Sequence, residues 1–224
     1  MLNKLKPTLA IVDSGFGGIS VLRRFIKKYG CGNYIYYADN QFMPYGTKNK
    51  EVLINRLNEI IAKLNEQYKP DKIIVACNTA SCVLIGNKPA ENVILMPFNK
   101  HKTYLTTTLT AKRLTNSKCI PLKNLAKLIE RNLENKNTIH KIVKTYVKLY
   151  KLYNYKELVL GCTHFELVAD EFKKICPNTC FVHNSDLLLK NLHFSPKDNA
   201  LTVMFLTSKL DEKYVETLRT LAFN

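Results

Sequence analysis

Short apolar runs alternate with longer amphipathic segments through the first part of the chain. Residues 9–12, 34–38 and 72–76 have the length and the continuous apolar character of buried strands. The segments between them, 19–29 and 51–68, repeat apolar residues at helical spacing. Strands that alternate with helices in this way predict an α/β fold in which a parallel sheet is covered by helices on both faces.

The rest of the chain continues the pattern less regularly, and no low-complexity linker interrupts it. Strands are expected at 93–96, 103–109, 157–161, 179–183 and 201–206. Helices are expected at 122–133, 138–153, 166–175 and 212–222.

Two of the expected strands end in similar sequences. Segments 72–80 and 157–165 each consist of an apolar strand, a small residue, a cysteine, two polar residues and a helix-like stretch. The cysteines, Cys77 and Cys162, thus follow the carboxyl ends of strands, where open α/β sheets bind ligands. Amides at the start of the next helix favour a thiolate. A free cysteine is more often only a small buried residue, but two such motifs favour a pair of thiols facing one ligand. Stereochemical inversion requires this arrangement, because one thiol removes a proton and the other delivers one to the opposite face.

A glycine-rich loop, residues 13–18, follows the first strand. Its glycines would let backbone amides approach a carboxylate, although such a loop also fits an ordinary tight connection. It differs from the dinucleotide-binding fingerprint, because Ser20 stands at the place of the last glycine. Asp13 is costly at the end of a buried strand unless it is partnered. We therefore expect Asp13 to interact with a thiol that exchanges a proton.

Composition narrows the class of protein. The chain has 224 residues, 46% of them hydrophobic and 23% charged, which is typical of one or two globular domains. Apolar runs fall well short of the roughly 20 residues of a membrane span. The first seven residues lack the apolar core of a signal peptide, so we expect a cytoplasmic protein. The seven cysteines form no C-x-x-C pair, which predicts free thiols rather than disulfides or a zinc site.

The net charge of +16, from 34 Lys and Arg against 18 Asp and Glu, has two interpretations. It could mark a protein that binds nucleic acid or anionic small molecules. It could also reflect compositional drift, since Lys supplies most of the positive charge and Asn is abundant. The charges are scattered, without a long basic run or basic and aromatic residues in alternation. This distribution favours drift, and we do not expect a nucleic-acid partner.

Four blocks of the chain, in the same order, resemble the cofactor-independent glutamate racemases of the aspartate/glutamate racemase superfamily. The blocks are DSGFGG at 13–18, YYAD at 36–39 with PYGTK at 44–48, ACNTAS at 76–81 and GCTHF at 161–165. The resemblance covers most of residues 8–97 and 122–206. It implies two related α/β domains with the active site between them. The first would comprise 1–97 with 185–224, and the second, shortened one 98–184.

The resemblance also implies roles for individual residues. Cys77 and Cys162 would be the two acid/base thiols, with Asp13 assisting Cys77, and His164 together with Glu130 assisting Cys162. The expected substrate-binding residues are Asp13, Ser14, Tyr45, Gly46, Asn78, Thr79, Thr163 and His164. The implied enzyme is a homodimer that interconverts L- and D-glutamate for peptidoglycan synthesis, without metal or pyridoxal phosphate.

The chain also departs from the family's pattern. It is shorter than usual between about residues 87 and 121, where the run 106–108 is expected to be the remnant of a substrate-contacting strand end. Arg131 follows Glu130 where a second acidic residue is usual, and Glu166 replaces a proline. Two alternatives stay open: an aspartate racemase, and a catalytically impaired relative that binds nucleic acid or a partner protein.

Overall fold

A computed structural model describes residues 8–195 and 200–223 of the chain. The strands are β1 (Thr8–Asp13), β2 (Gly32–Ala38), β3 (Lys72–Val75), β4 (Val93–Leu95), β5 (Thr103–Thr106), β6 (Lys118–Pro121), β7 (Glu157–Leu160), β8 (Cys180–His183) and β9 (Leu201–Thr207). The helices are α1 (Ile19–Tyr29), α2 (Lys50–Gln67), α3 (Asn78–Leu84), α4 (Thr108–Arg113), α5 (Leu125–Asn132), α6 (Lys136–Leu149), α7 (Thr163–Leu167), α8 (Ala169–Ile175), α9 (Asn184–Asn191) and α10 (Glu212–Phe223). Residues 1–7, for which we expected no signal peptide, lie outside the described residues.

The first sheet has five parallel strands in the order β4-β3-β1-β2-β9. Its central strand β1 is covered on both sides. Leu9 and Ile11 pack toward a core that includes residues of α1 and α10, whereas Ala10 and Val12 pack toward residues of α2 and α3. Because successive side chains of a strand point to opposite faces, burial of both faces explains the uninterrupted apolar run.

The second sheet has four parallel strands in the order β6-β5-β7-β8, packed against α5, α6 and α8. The expected fold class is therefore confirmed: the chain is an α/β protein with two domains, each built on a parallel sheet. Strands β5–β8 all belong to the second sheet, and β9 returns to the first. The exact domain boundaries, at 97/98 and 184/185, stay a prediction.

Several element boundaries differ from those expected. The strand predicted at 103–109 ends at Thr106, because the Thr107 hydroxyl accepts a bond from the Thr110 amide and thereby caps α4. Strand β6 was missed, and the following helix starts later than predicted, at Leu125. The helix predicted at 166–175 is two short helices that meet at Val168.

Both sheets have a point at which neighbouring strands connect in opposite directions. In the first sheet this point lies between β1 and β3, and in the second it lies between β5 and β7. Ligands bind at such points, outside the carboxyl ends of the strands. Residues of the loops that follow β1 and β3 line the same cleft as residues of the loops that follow β5 and β7. Within the two described ranges, no helix combines the length and apolar content needed to cross a membrane.

Candidate active site

A cleft of about 330 Å³ lies where the strand ends of the two sheets meet. Every predicted catalytic or substrate-binding residue lines it, except Asp13 and Glu130. These two carboxylates stand behind it, and each bonds a residue of the lining: Asp13 bonds Thr163, and Glu130 bonds His164. The structure thus brings together residues that are up to 150 positions apart in sequence.

Cys77 follows β3 and occupies the N-cap position of α3, with only 6% of its surface exposed. Its thiol lies 3.9 Å from the Ser14 hydroxyl. Burial and the negative charge of Asp13 raise the pKa of Cys77 above its ordinary value, and the Ala80 amide only partly opposes them. The neighbouring Cys162 adds slightly to the increase. Cys77 therefore rests as a protonated thiol at neutral pH.

Cys162 holds the equivalent place after β7, at the N-cap of α7, and is also 6% exposed. The small residue before it is required, because a Cβ on Gly161 would lie 3.0 Å from the Leu105 carbonyl oxygen. The close approach of this turn to β5 fixes the position of Cys162. The two cysteine motifs that look alike in sequence are thus alike in placement.

His164 connects Cys162 to a carboxylate. Its Nε2 atom is 2.5 Å from Oε2 of Glu130, and both side chains are buried. Burial alone would lower the pKa of His164, but the interactions with Glu130 and Cys162 outweigh it and raise this pKa well above the ordinary value. The site therefore holds an imidazolium beside Cys162, balanced by the Glu130 carboxylate.

Asp13 is fully buried, and its carboxylate places a negative charge near Cys77, whereas His164 places a positive charge near Cys162. Its Oδ1 accepts a bond from the Gly15 amide at 3.0 Å, and its Oδ2 accepts one from the Thr163 hydroxyl at 3.0 Å. Burial raises the pKa of Asp13 to about 6, although the charge of His164 and these hydrogen bonds lower it in part. Asp13 therefore acts on Cys77 electrostatically, and it contacts the second domain through the hydrogen bond that it accepts from Thr163.

The glycine-rich loop after β1 does receive a carboxylate, and that carboxylate is the protein's own Glu130. The Phe16 amide lies 3.2 and 3.1 Å from the two oxygens of Glu130. A Cβ on Gly15 would stand 2.5 Å from Oε1 of Glu130, and one on Gly17 would stand 2.4 Å from the Thr163 hydroxyl. These two glycines are needed because the second domain touches the loop directly.

Tyr45 lines the cleft, and its hydroxyl group is engaged outside the cleft lining. The hydroxyl donates to the fully buried Asp39 at 2.8 Å. Arg56 forms a two-point contact with the same carboxylate, at 3.0 and 2.7 Å. Asp39, part of a block that carried the family resemblance, therefore has a structural role in holding the Tyr45 segment in place.

Hydroxyl and amide groups of both domains line the cleft or bond the residues that line it. The hydroxyls of Thr79, Thr107 and Thr110 form a triangle with sides of 2.9, 3.1 and 3.0 Å. Asn78 accepts a bond from Asn184 at 2.6 Å, and its buried Nδ2 atom has no partner among the described residues. The expected threonine-bearing strand end is thus at the cleft, whereas sequence analysis missed Thr110 and Asn184, which carry no local motif.

The charge of the cleft is positive. Among the described residues that line it are Lys48, Lys112, Lys123 and Lys127, and no carboxylate. A cleft lined by one sign of charge attracts ligands of the other sign, so an anionic ligand is favoured. The sequence analysis attributed the net charge to drift and missed this local concentration. Within 8–195 and 200–223, no group of three or more His, Cys, Asp and Glu is arranged to hold a metal ion.

Comparisons relate the chain to one group of proteins, although no family model matches it. A glutamate racemase of Haemophilus ducreyi is 31% identical over 214 residues, 84% of this chain and 80% of the relative. The structure of Escherichia coli glutamate racemase in complex with L-glutamate and the activator UDP-MurNAc-Ala is 25% identical, with a TM-score of 0.76, covering 97% of this chain and 96% of that one. The Campylobacter jejuni glutamate racemase structure has a TM-score of 0.78 at 23% identity, covering 96% of this chain and 98% of that one. This last likeness establishes the fold.

Proposed function

The chain belongs to the glutamate racemase family, and from that premise we propose that it interconverts L- and D-glutamate through Cys77 and Cys162. The observation that carries the proposal is that both thiols line a single cleft, one at a strand end of each sheet. A racemase must remove a proton from one face of a carbon atom and return a proton to the other face. Two thiols that line one cleft from opposite domains support this mechanism.

The reaction balances as two proton transfers. One sulfur, as a thiolate, takes the proton from Cα, and the electron pair of the broken C–H bond stays on the substrate. The other sulfur, as a thiol, gives its proton to the opposite face of Cα. The enzyme is left with the proton on the first sulfur, so exchange with water must restore the starting state. Because this α-proton is a weak acid, the base must act in a cleft with few water molecules and fixed hydrogen-bond donors.

The two thiols have neighbours of opposite charge. Burial and Asp13 keep Cys77 protonated, whereas Cys162 adjoins the positively charged His164. We infer that Asp13 assists proton exchange at Cys77, and that His164 with Glu130 assists it at Cys162.

The cleft suits a substrate with two carboxylates. Its lysines supply positive charge, and the amide of Asn78 and the hydroxyls of Ser14 and Thr79 supply hydrogen-bond donors. The E. coli relative was solved with L-glutamate, which supports glutamate over aspartate for this chain. We further propose that the D-glutamate formed serves peptidoglycan synthesis.

The test is exchange of the α-proton in heavy water, without added cofactor and under reducing conditions. L-glutamate, D-glutamate and both enantiomers of aspartate are compared by NMR and by optical rotation. We expect exchange and racemisation of glutamate, and loss of racemisation in Cys77→Ala and Cys162→Ala. Cys180→Ala, which removes an exposed thiol outside the cleft, is the matched control and should stay active. Folded protein that exchanges neither amino acid would overturn the proposal.

A further inference from the structure

Tyr214, near the start of α10, reaches the carboxylate that holds His164. Its hydroxyl donates to Oε1 of Glu130 at 2.8 Å, while Oε2 of the same carboxylate is 2.5 Å from His164. We propose that Tyr214 is a positioning residue for the proton transfers of Cys162. The inference rests on the proposed racemase function. It assigns a role to the C-terminal helix, which the sequence identified only as a helix.

Three donors from three parts of the fold fix the Glu130 carboxylate. The Phe16 amide bridges both oxygens, Tyr214 binds one oxygen and His164 binds the other. Since Phe16 and Tyr214 pack with the first sheet, two of the three donors reach Glu130 from the opposite domain. A carboxylate held at one oxygen by a phenol cannot rotate freely, so its other oxygen stays directed at the imidazole.

Tyr214 is itself held firmly enough to act in this way. Its ring stacks on Phe16 with 4.1 Å between the ring centroids and 15° between the planes. Its backbone amide donates to the Asp211 side chain at 3.0 Å, which anchors the start of α10. Burial and the neighbouring Glu130 charge raise the pKa of Tyr214, so the phenol keeps its proton and remains a donor.

Tyr214 does not belong to the described residues that line the cleft. Its loss should therefore leave substrate binding unchanged and slow the proton transfers that depend on His164. Those transfers belong to Cys162 and not to Cys77. For one enantiomer Cys162 removes the substrate proton, and for the other it delivers a proton that comes from water. A defect confined to Cys162 therefore affects the substrate's own C–H step in one direction only.

The experiment compares Tyr214→Phe with Tyr29→Phe in the full chain. Both changes remove a part-buried phenolic hydroxyl that forms one hydrogen bond; that of Tyr29 goes to a backbone carbonyl remote from the cleft. Steady-state rates are measured in both directions, together with the deuterium isotope effect of each α-deuterated enantiomer of glutamate. Phe retains the ring that stacks on Phe16, so the Tyr214 variant should fold.

We expect Tyr214→Phe to lower kcat by about tenfold, as for loss of one hydrogen bond to a charged group, with KM changed less than about twofold. The isotope effect should rise for the enantiomer whose proton Cys162 removes and fall for the other. A purely structural defect reduces the amount of active enzyme and moves neither isotope effect. Because an isotope effect is a ratio of two rates, it can be compared between variants even where part of the protein is unfolded.

The outcomes separate the two proposals. If the unaltered protein racemises glutamate but Tyr214→Phe matches Tyr29→Phe in kcat and in both isotope effects, the role of Tyr214 is wrong and the racemase proposal stands. If both isotope effects change equally, the effect is not confined to Cys162 and the inference is again overturned. If the unaltered protein does not racemise glutamate, the proposed function itself fails.

Discussion

Replacing Asp13 by Asn should make the protein more stable and less active. Asp13 is fully buried, and its pKa is raised from an ordinary 3.8 to about 6, mainly by burial. Below the lower value both the folded and the unfolded chain hold this proton. Between the two values the folded chain keeps a proton that the unfolded chain has lost. The contribution of Asp13 to the free energy of unfolding is therefore fully present below pH 3.8 and is lost as the pH rises through about 6.

The size of the effect follows from the shift. A displacement of about two pKa units corresponds to about 3 kcal/mol of unfolding free energy that is absent at neutral pH. An amide carries no charge, so Asn avoids this cost. Its oxygen can still accept from Gly15, and the Thr163 hydroxyl can turn from donor to acceptor. Allowing for less favourable geometry, we expect Asp13→Asn to gain about 1–3 kcal/mol near pH 8.

The assay is urea unfolding of both proteins near pH 4 and near pH 8. The difference in free energy should widen by about 2 kcal/mol between these conditions. Asp170→Asn, which neutralises an exposed carboxylate on α8, is the control and should show no such widening. In the same samples we expect kcat of Asp13→Asn to fall by roughly one to two orders of magnitude, because Cys77 loses its charged neighbour.

Two results would refute this reasoning. A stability difference that stays constant with pH would mean that Asp13 is not the group whose ionisation opposes folding. Full activity of the more stable variant would mean that its charge has no part in proton exchange at Cys77. Unfolding free energy and kcat are measured independently, so the stability prediction and the activity prediction can each fail alone.

Two further substitutions test the supports of the cleft. Arg56→Met should cost about 3–5 kcal/mol in urea unfolding, because it leaves the fully buried Asp39 without its cation. Adding Asp39→Asn should recover much of that loss, and an Arg56→Met protein of native stability would contradict the argument. Gly15→Ala should lower kcat by about tenfold or more, since its Cβ would stand 2.5 Å from Glu130 and displace it. Unchanged steady-state kinetics in that variant would contradict this, because the glycine-rich loop would then have accommodated the Cβ without displacing Glu130.

The buried strands were predictable from the sequence, whereas a short helix was not. Continuous apolar runs identified β1, β3 and β7, because strands buried on both faces need no polar alternation. The cysteine motifs that follow β3 and β7 were found because the strand, the turn and the cysteine are consecutive in sequence. By contrast, α4 was missed because a single Thr107 cap decides between strand and helix there.

Contacts between distant segments lie beyond such patterns. Glu130 was located through the family resemblance, but its bond to the Phe16 amide depends on how two domains meet. Tyr214 belongs to no local motif, so the sequence pattern predicted only that it lies on a helix. The Glu166 side chain, noted only as a departure from the family, is buried and binds the Ser185 amide and hydroxyl at 2.9 and 2.5 Å. It thereby holds the start of α9, where the chain leaves the second sheet.

The placement of these contacts suggests why the enzyme is built from two domains. Asp13 bonds Thr163, and Glu130 bonds Phe16, so each auxiliary carboxylate is completed by a group from the opposite domain. Separation of the domains would break both bonds and admit water to the thiols. Closure would restore both bonds and exclude water together. Since a buried charge acts more strongly when water is absent, we expect proton transfer to be favoured when the two domains are in contact, as they are in this structure.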